Sequence, residues 1–576
     1  MGKNARFQAV IFLLFLLFTS FIISGCVEDL YATNGNSEPK VEEKSQEEIE
    51  KEKAAEEERK RQEEEEQKLQ IIQERAKKEQ ALKEKLGPFY VPLPPLEKVD
   101  NPPVKARGIY LTGNTVGLKN KFPQMIELVE TTELNAMVID VKNDHGLMSY
   151  PSEIEIVQQV KANYKAPLKD IREVLTDLHE RNIYTIARIV VFKDPNLPEQ
   201  RPEWALQKKS GGVWRDKKGV AWVNPYEKNV WDYNIAIAKE AALMGFKEIQ
   251  FDYIRFPENA KRVDEEVNYG ENVVNKDEII EQFLEFAREE LKDYNVHLAA
   301  DVFGVIATSW GDSDKIGQTW ERMTAQLEYT CPMIYPSHYG PGYFGFKVPD
   351  ANPYGTITMS LIDSIERNAT VKNPGIIRPW LQSFTASWVP GYIPYGAKEV
   401  RQQIDAGLAL GIDEYLIWNA NNRYIKEAFL SEEEFQNRAA QLAKEREEKG
   451  LDVLGKTNSQ ALEDFFKAFA KKDWRNSLYL HATDFTMGFN DYKPWVDSWT
   501  GKLSRYEIKG NTPKEEKILY EVDVTITRSK EEIQLSAQTF EVYIENSVWK
   551  VKPTEEFLKA LTAETILEEG EVTSPN

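Results

Sequence analysis

Between Ala106 and Ala428 the chain switches repeatedly between short apolar runs and longer stretches whose apolar residues recur at helical spacing. That alternation is the order expected of strand–helix units building a parallel sheet. The apolar runs predict strands at Ala106–Leu111, Ala136–Val141, Ile183–Val191, Glu248–Tyr253, His297–Val302, Tyr329–Tyr335, Ile376–Gln382 and Tyr415–Trp418. Helices are predicted over Ala166–Arg181, Val230–Met244, Lys276–Tyr294 and Ala397–Leu410, with Gly411 as the C-terminal cap of the last. Eight strands close a (β/α)8 TIM barrel, and this length suits one with inserted loops. An open doubly wound sheet is the competing architecture. It is disfavoured because no Gly-x-Gly-x-x-Gly follows the first strand, and because polar residues end several strands instead of meeting at one crevice.

The pattern is different on either side of that region. Lys3 and Arg6 precede an apolar run from Val10 to Ile23, closed by Ile23-Ser-Gly-Cys26. The run is short for a bilayer span, which needs about 20 residues, but has the length and flanks of a secretory signal. Its ending resembles a bacterial lipobox, which implies lipidation of Cys26 and an anchor on the extracellular side of the cell membrane. An uncleaved anchor helix is the alternative and places the chain on the same side. Val41 to Leu86 is almost entirely Glu, Lys, Arg, Gln and Ala, with Glu-to-Lys spacings of three and four and too few apolar residues for a coiled-coil seam. It reads as a solvated helical stalk, and the proline-rich stretch Pro88 to Pro103 ends it.

Ser431-Glu-Glu-Glu434 forms a capping-box pattern opening a charged helix that leads out of the barrel. Beyond Gly455, helices are predicted at Ala461–Lys471 and Trp474–Leu480, then strands at Ser504–Lys509, Lys517–Thr527, Ile533–Ile544 and Val548–Lys552. This is a small α+β domain, and its element order is similar to the ketosteroid-isomerase-like cone fold. It is read as an accessory binding or spacing module. The expected division is 1–26 signal peptide, 27–103 linker and stalk, 104–430 barrel, 431–455 linker helix and 456–565 accessory domain.

Composition narrows the chemistry. A net charge of −21 on 576 residues argues against a nucleic-acid partner and suits a neutral or cationic ligand. The two cysteines, Cys26 and Cys331, make a structural disulfide improbable, and the five histidines lack metal-ligand spacing. No metal or cofactor is expected, a monomer is expected, and carboxylates are left as the reactive groups.

In this architecture the working face lies at the C-terminal ends of the strands. There the chain places Asp140, Lys142 and Asp144 after strand two, Arg188 in strand three, Gln250, Asp252 and Arg255 at strand four, and Asp301 at strand five. Tyr335, Gln382, Trp418 and Asn419 end later strands. Strand periodicity sends Ile249 and Phe251 outward and Gln250 and Asp252 into the barrel mouth, and the same count turns Asp140, Arg188 and Asp301 inward. Converging carboxylates beside an arginine perturb one another's pKa, as acid/base work requires. Any one of them alone could instead be a capping or ion-paired group. Tyr110, Tyr253, Trp310, His338, Tyr339, Tyr343, Trp380, Trp388 and Tyr392 flank the same places, and such rings suit stacking on sugars, although about half belong in the core.

The segments Ala106-Arg-Gly-Ile-Tyr-Leu-Thr-Gly113, Val138-Ile-Asp-Val-Lys-Asn-Asp144, Gln250-Phe-Asp-Tyr-Ile-Arg-Phe-Pro257 and Ala300-Asp-Val-Phe-Gly304 resemble a glycoside-hydrolase family of bacterial lipoproteins and secreted proteins. That family is distantly related to α-amylase-like and polygalactosaminidase-like barrels. In α-amylase-like barrels a strand-four aspartate is the nucleophile, and the resemblance gives Asp252 that place. The strand-five acid there is usually glutamate, where this chain has Asp301.

The resulting expectation is a hydrolase of an extracellular or cell-wall glycan, a polysaccharide or oligosaccharide. Asp252 attacks the anomeric carbon or activates water, and Asp301 protonates the leaving oxygen. Arg188 and Arg255 orient the carboxylates, while Tyr110, Asp140, Lys142, Tyr335, Gln382, Trp418 and Asn419 hold the sugar. The competing expectation is a non-catalytic glycan-binding or cell-envelope scaffold protein, favoured if a salt bridge occupies either carboxylate.

Overall fold

The computed structural model describes residues 45–97, 100–271, 273–309, 311–482, 489–529 and 531–562. The leader with Cys26, and Trp310, lie outside the described residues. One helix, Gln46–Leu86, occupies the charged stretch. Its ion pairs are local, such as Arg59 to Glu56 at 2.8 Å, as expected of a helix held by neighbours three and four residues apart. No helix among the described residues is long and apolar enough to cross a membrane.

The next unit contains the barrel. Its eight strands are Arg107–Leu111, Ala136–Lys142, Tyr184–Val190, Glu248–Asp252, His297–Phe303, Tyr329–Ile334, a seventh in two pieces (Ile376–Ile377 and Trp380–Gln382), and Tyr415–Trp418. All pair in parallel, and the eighth returns to the first through Arg107↔Tyr415, which closes the ring. The seventh strand breaks at Arg378-Pro379, since proline has no N–H to give the ladder.

Two apolar layers follow from strand parity. Ile109, Met137, Ile139, Ala187, Ile249, Phe251 and Ala300 face outward and pack against the helices. Tyr110, Val138, Ile186, Ala299, Cys331, Trp380 and Leu416 fill the barrel itself. At the barrel's floor Arg378 is fully buried, bonded to Glu248 at 2.8 Å and Glu414 at 2.9 Å and lying 3.5 Å over the Tyr329 ring. A charge so placed is tolerated because both partners and the ring satisfy it.

The helix expected to lead away from the barrel, Glu432–Lys449, instead begins against it. Its capping box is present, Phe435 is buried in the barrel's outer core, and Arg438 pairs with Asp405 at 2.6 Å. Past it, helices Asn458–Lys471 and Trp474–Leu480 pack with a four-stranded antiparallel meander, Gly501–Pro513, Ile518–Arg528, Glu531–Glu545 and Val548–Lys552. Register shifts at Leu503/Arg505, Ile508/Gly510 and Val522/Val524 are bulges that bend the long strands. Val453 and Val548 of this segment pack with Ile362 and Ala409 of the barrel helices.

Candidate active site

Residues at and just beyond the C-terminal ends of strands three to eight line a cavity of about 740 Å³. Asp252, Asp301, Arg188, Arg255, Tyr335, Trp380 and Trp418 all contribute to its wall. Strands four and five pair in register through Phe251↔Ala300, so Asp252 and Asp301 stand one step further on neighbouring strands. Parallel strands run about 4.8 Å apart, which brings both carboxylates into the same mouth.

Arg188 organises one side of it. The guanidinium donates to Asp252 Oδ2 from Nε at 3.0 Å and Nη2 at 2.5 Å, and to Asp140 Oδ1 from Nη1 at 2.6 Å. Its flat face lies 5.4 Å from the Tyr110 ring and 5.3 Å from that of Trp418, which stack on each other at 4.1 Å. Tyr110 OH donates to Asp140 Oδ2 at 2.6 Å. Both oxygens of Asp140 are thus occupied, and Asp140 and Tyr110 hold Arg188 rather than forming the cavity wall. Burial opposes the charge on Arg188, yet the carboxylates of Asp252 and Asp140 raise its pKa well above the ordinary value.

Asp252 Oδ1 accepts the backbone N–H of Tyr253 at 2.5 Å. Tyr253 adopts φ 51°, a left-handed conformation uncommon for an aromatic residue, so the chain turns sharply just after Asp252. Asp301 has a different environment. Its Oδ1 accepts Trp380 Nε1–H at 2.6 Å, and no described hydrogen bond reaches its other oxygen. Burial, and next the charge of Asp252, push the Asp301 carboxyl well above the usual range, with Arg188 and Trp380 only partly opposing them. The wall beside it requires Gly304, where a Cβ would stand 2.6 Å from Tyr339 Oη and 2.7 Å from Met333 O.

Of the expected site residues, Lys142, Gln382 and Asn419 are used elsewhere, and Arg255 has a different partner from the one expected. Lys142 is fully buried, paired with Asp194 at 2.9 Å and set over the Tyr233 ring. A bulge explains it: Asp140 pairs with Arg188 but Lys142 with Ile189, so one extra residue turns Lys142 toward the helices. Gln382 points inward but accepts from Ser337 N at 3.1 Å and Oγ at 2.8 Å, and donates to Asp350 and the Phe384 carbonyl, each at 3.0 Å. Asn419 spends its amide on the carbonyls of Ser383 and Arg423. Arg255 does line the cavity, but it donates to Glu258 at 3.1 Å and lies over the Phe303 ring at 4.4 Å, so it orients neither aspartate. Conversely, Glu258, Phe303, Asp314 and Met333 line the cavity without having been singled out. Glu258 and Asp314 sit in loops after strands four and five, where no periodicity marks them. Burial raises the Asp314 carboxyl and lowers His338, which also lines the wall.

A closed parallel barrel with a cavity at its C-terminal face is an architecture that hosts many enzymes, glycan-acting hydrolases among them. Residues 108–424 match the family described as "Putative glycosyl hydrolase domain", and the chain belongs to that family. A polysaccharide or oligosaccharide is the partner that this class implies. The chain is similar to a hypothetical protein from Ruminiclostridium thermocellum at 43% identity, over 34% of this chain and 97% of that one, with a TM-score of 0.31. It is similar to the PgaB (BpsB) glycoside hydrolase domain from Bordetella bronchiseptica at 13% identity, over 55% and 94%, with a TM-score of 0.40. A beta-galactosidase from Marinomonas ef1 matches at 10% identity, over 79% and 90%, with a TM-score of 0.41. A comparison with curated proteins returns no match.

Proposed function

We propose that the chain is a membrane-anchored extracellular glycoside hydrolase that cleaves a cell-wall or exopolysaccharide glycan through Asp252 and Asp301. The observation that carries this reading is the unequal setting of two carboxylates at one height in one cavity. Arg188 grips Asp252 in an ion pair, whereas Asp301 is buried with its pKa raised. A raised carboxyl facing one that an arginine engages suits a division of labour between an acid and its partner. Asp301 gives its proton to the glycosidic oxygen as the bond to the anomeric carbon breaks. Asp252, turned by Arg188, attacks that carbon or takes the proton of an attacking water. Tyr335 and Trp418 supply ring faces to the sugar, and Tyr110 and Asp140 act through Arg188.

The Arg188–Asp252 ion pair also favours a second reading, a barrel that binds glycan without cleaving it. In that case the guanidinium would keep Asp252 Oδ2 occupied and out of any reaction. One experiment separates the two. Reducing-end release from solubilised peptidoglycan strands and amino-sugar polymers is measured for the wild type, Asp252→Asn and Asp301→Asn. Turnover by the wild type, lost by at least about a hundredfold in each variant with binding kept, supports the hydrolase. Binding without any release supports the binder, and near-wild-type release by either variant removes that residue from the pair.

A further inference from the structure

Among the large apolar side chains of the described residues, Trp388 is the most exposed, at 65%. It lies in the loop between strand seven and helix Ala397–Ala409, at the same barrel face as the cavity. A free indole in water forgoes the burial that usually repays so large a ring. The ring is not loose. It lies nearly parallel to Phe384, with centroids 6.0 Å apart and planes inclined by 16°. Phe384 in turn meets Tyr335 edge-on at 5.9 Å and 72°, and Tyr335 lines the cavity. The three rings make an unbroken aromatic path from the cavity wall to the surface.

The loop that carries Trp388 is tied down on both sides of it. Val389 N–H donates to Ala386 O at 2.9 Å, and Tyr392 N–H to Val389 O at 3.1 Å. Tyr395 N–H donates to Thr385 Oγ1 at 3.0 Å, and Tyr395 OH to the Asp350 carbonyl at 3.0 Å. Ala386 is fully buried beneath the turn. A platform fixed in advance binds at a smaller cost in ordering than a mobile one.

We propose that Trp388 is a distal sugar subsite, on whose exposed face a pyranose ring of the bound glycan stacks while the bond to be cleaved lies at Asp252 and Asp301. This rests on the reading of the cavity as a glycan site. A flat apolar face with a polar N–H edge matches the alternating C–H face and hydroxyl rim of a pyranose. A protein partner fits less well, because interaction patches are broad and centre on buried anchors. Here the exposed ring has only Tyr392, at 41% exposure, as a large exposed apolar companion on its loop.

The test uses the full chain as wild type, Trp388→Ala and Trp388→Phe. Retardation in native gels containing chitosan, glycol chitin or solubilised peptidoglycan strands is measured beside reducing-end release from the same polymers. The expected result is binding of one polymer by the wild type, weakened about tenfold in Trp388→Ala and largely kept in Trp388→Phe. Cleavage of a short oligomer that fills only the cavity should be unchanged by either substitution. Equal retardation of wild type and Trp388→Ala overturns the proposal, as does a wild type that none of the three polymers retards. Retardation that depends on Trp388, without any release of reducing ends, keeps the subsite and removes the hydrolase reading.

Discussion

Replacing Glu240 by glutamine should make the protein more stable at pH 8 while leaving it unchanged near pH 4. Glu240 lies on helix Lys228–Met244 and is buried. Its Oε1 accepts from Ser152 Oγ at 2.9 Å and Glu153 N at 3.1 Å, while Oε2 and the nearby buried Tyr150 hydroxyl have no hydrogen-bond partner. Burial outweighs the Ser152 and Glu153 bonds and lifts the carboxyl from 4.5 to about 7. At about 1.4 kcal/mol for each pH unit of displacement, that is roughly 3 kcal/mol. The folded state keeps its proton to higher pH than the unfolded chain. The favourable contribution is therefore complete below pH 4.5 and is lost as pH rises to about 7. Glutamine keeps an oxygen for Ser152 and Glu153 and cannot ionise, so its advantage should grow across that window and then level off. Urea unfolding of wild type and Glu240→Gln at half-unit steps from pH 4 to 8 reads this directly. A stability difference that does not vary with pH, or that shrinks as pH rises, would refute the argument.

Three further outcomes are expected. Because the Asp301 carboxyl is raised by burial and by Asp252, kcat/KM on a cleaved glycan should fall only at a pH well above the usual aspartate value of about 4; loss near 4 would give the acid role to another group. Arg475 of the accessory module lies 4.6 Å over Tyr343 and donates to the Thr308 carbonyl at 3.4 Å, and Tyr343 meets cavity-lining Tyr339 at 5.1 Å. Arg475→Ala should speed hydrogen exchange at residues 304–309 and 339–346 by about fivefold with little loss of global stability, and unchanged exchange there would show that the contact fastens nothing. If Cys26 is lipidated, metabolic labelling with a fatty-acid probe marks the wild type and not Cys26→Ala; label on the variant, or none on the wild type, removes the anchor.

Much of the barrel could be read along the chain because its strands are buried on both faces and separated by amphipathic helices. Each predicted barrel strand lies within two residues of an observed one at its start and its end, apart from the interruption at Pro379. Parity alone turned Asp252, Asp301, Arg188 and Asp140 toward the inside, since alternation is a local property of extended backbone. Parity also misled where the backbone left its period. The bulge beside Lys142 is visible only once strand two is laid against strand three.

The remaining decisions were tertiary. Gln382 and Asn419 stand at the ends of their strands as expected, but Ser337, Asp350, Ser383 and Arg423 come from other stretches of chain to occupy their polar atoms. Trp380 reaches Asp301 across 79 positions of sequence, and Glu258 and Asp314 enter the cavity from loops with no repeat to mark them. Above all, the difference between Asp252 and Asp301 is invisible in the sequence, where both are aspartates ending apolar strands. It arises from which of them Arg188 grips and which accepts the Trp380 indole N–H. Side-chain direction follows from local backbone geometry, whereas ionisation and hydrogen-bond occupancy follow from neighbours that only folding brings together.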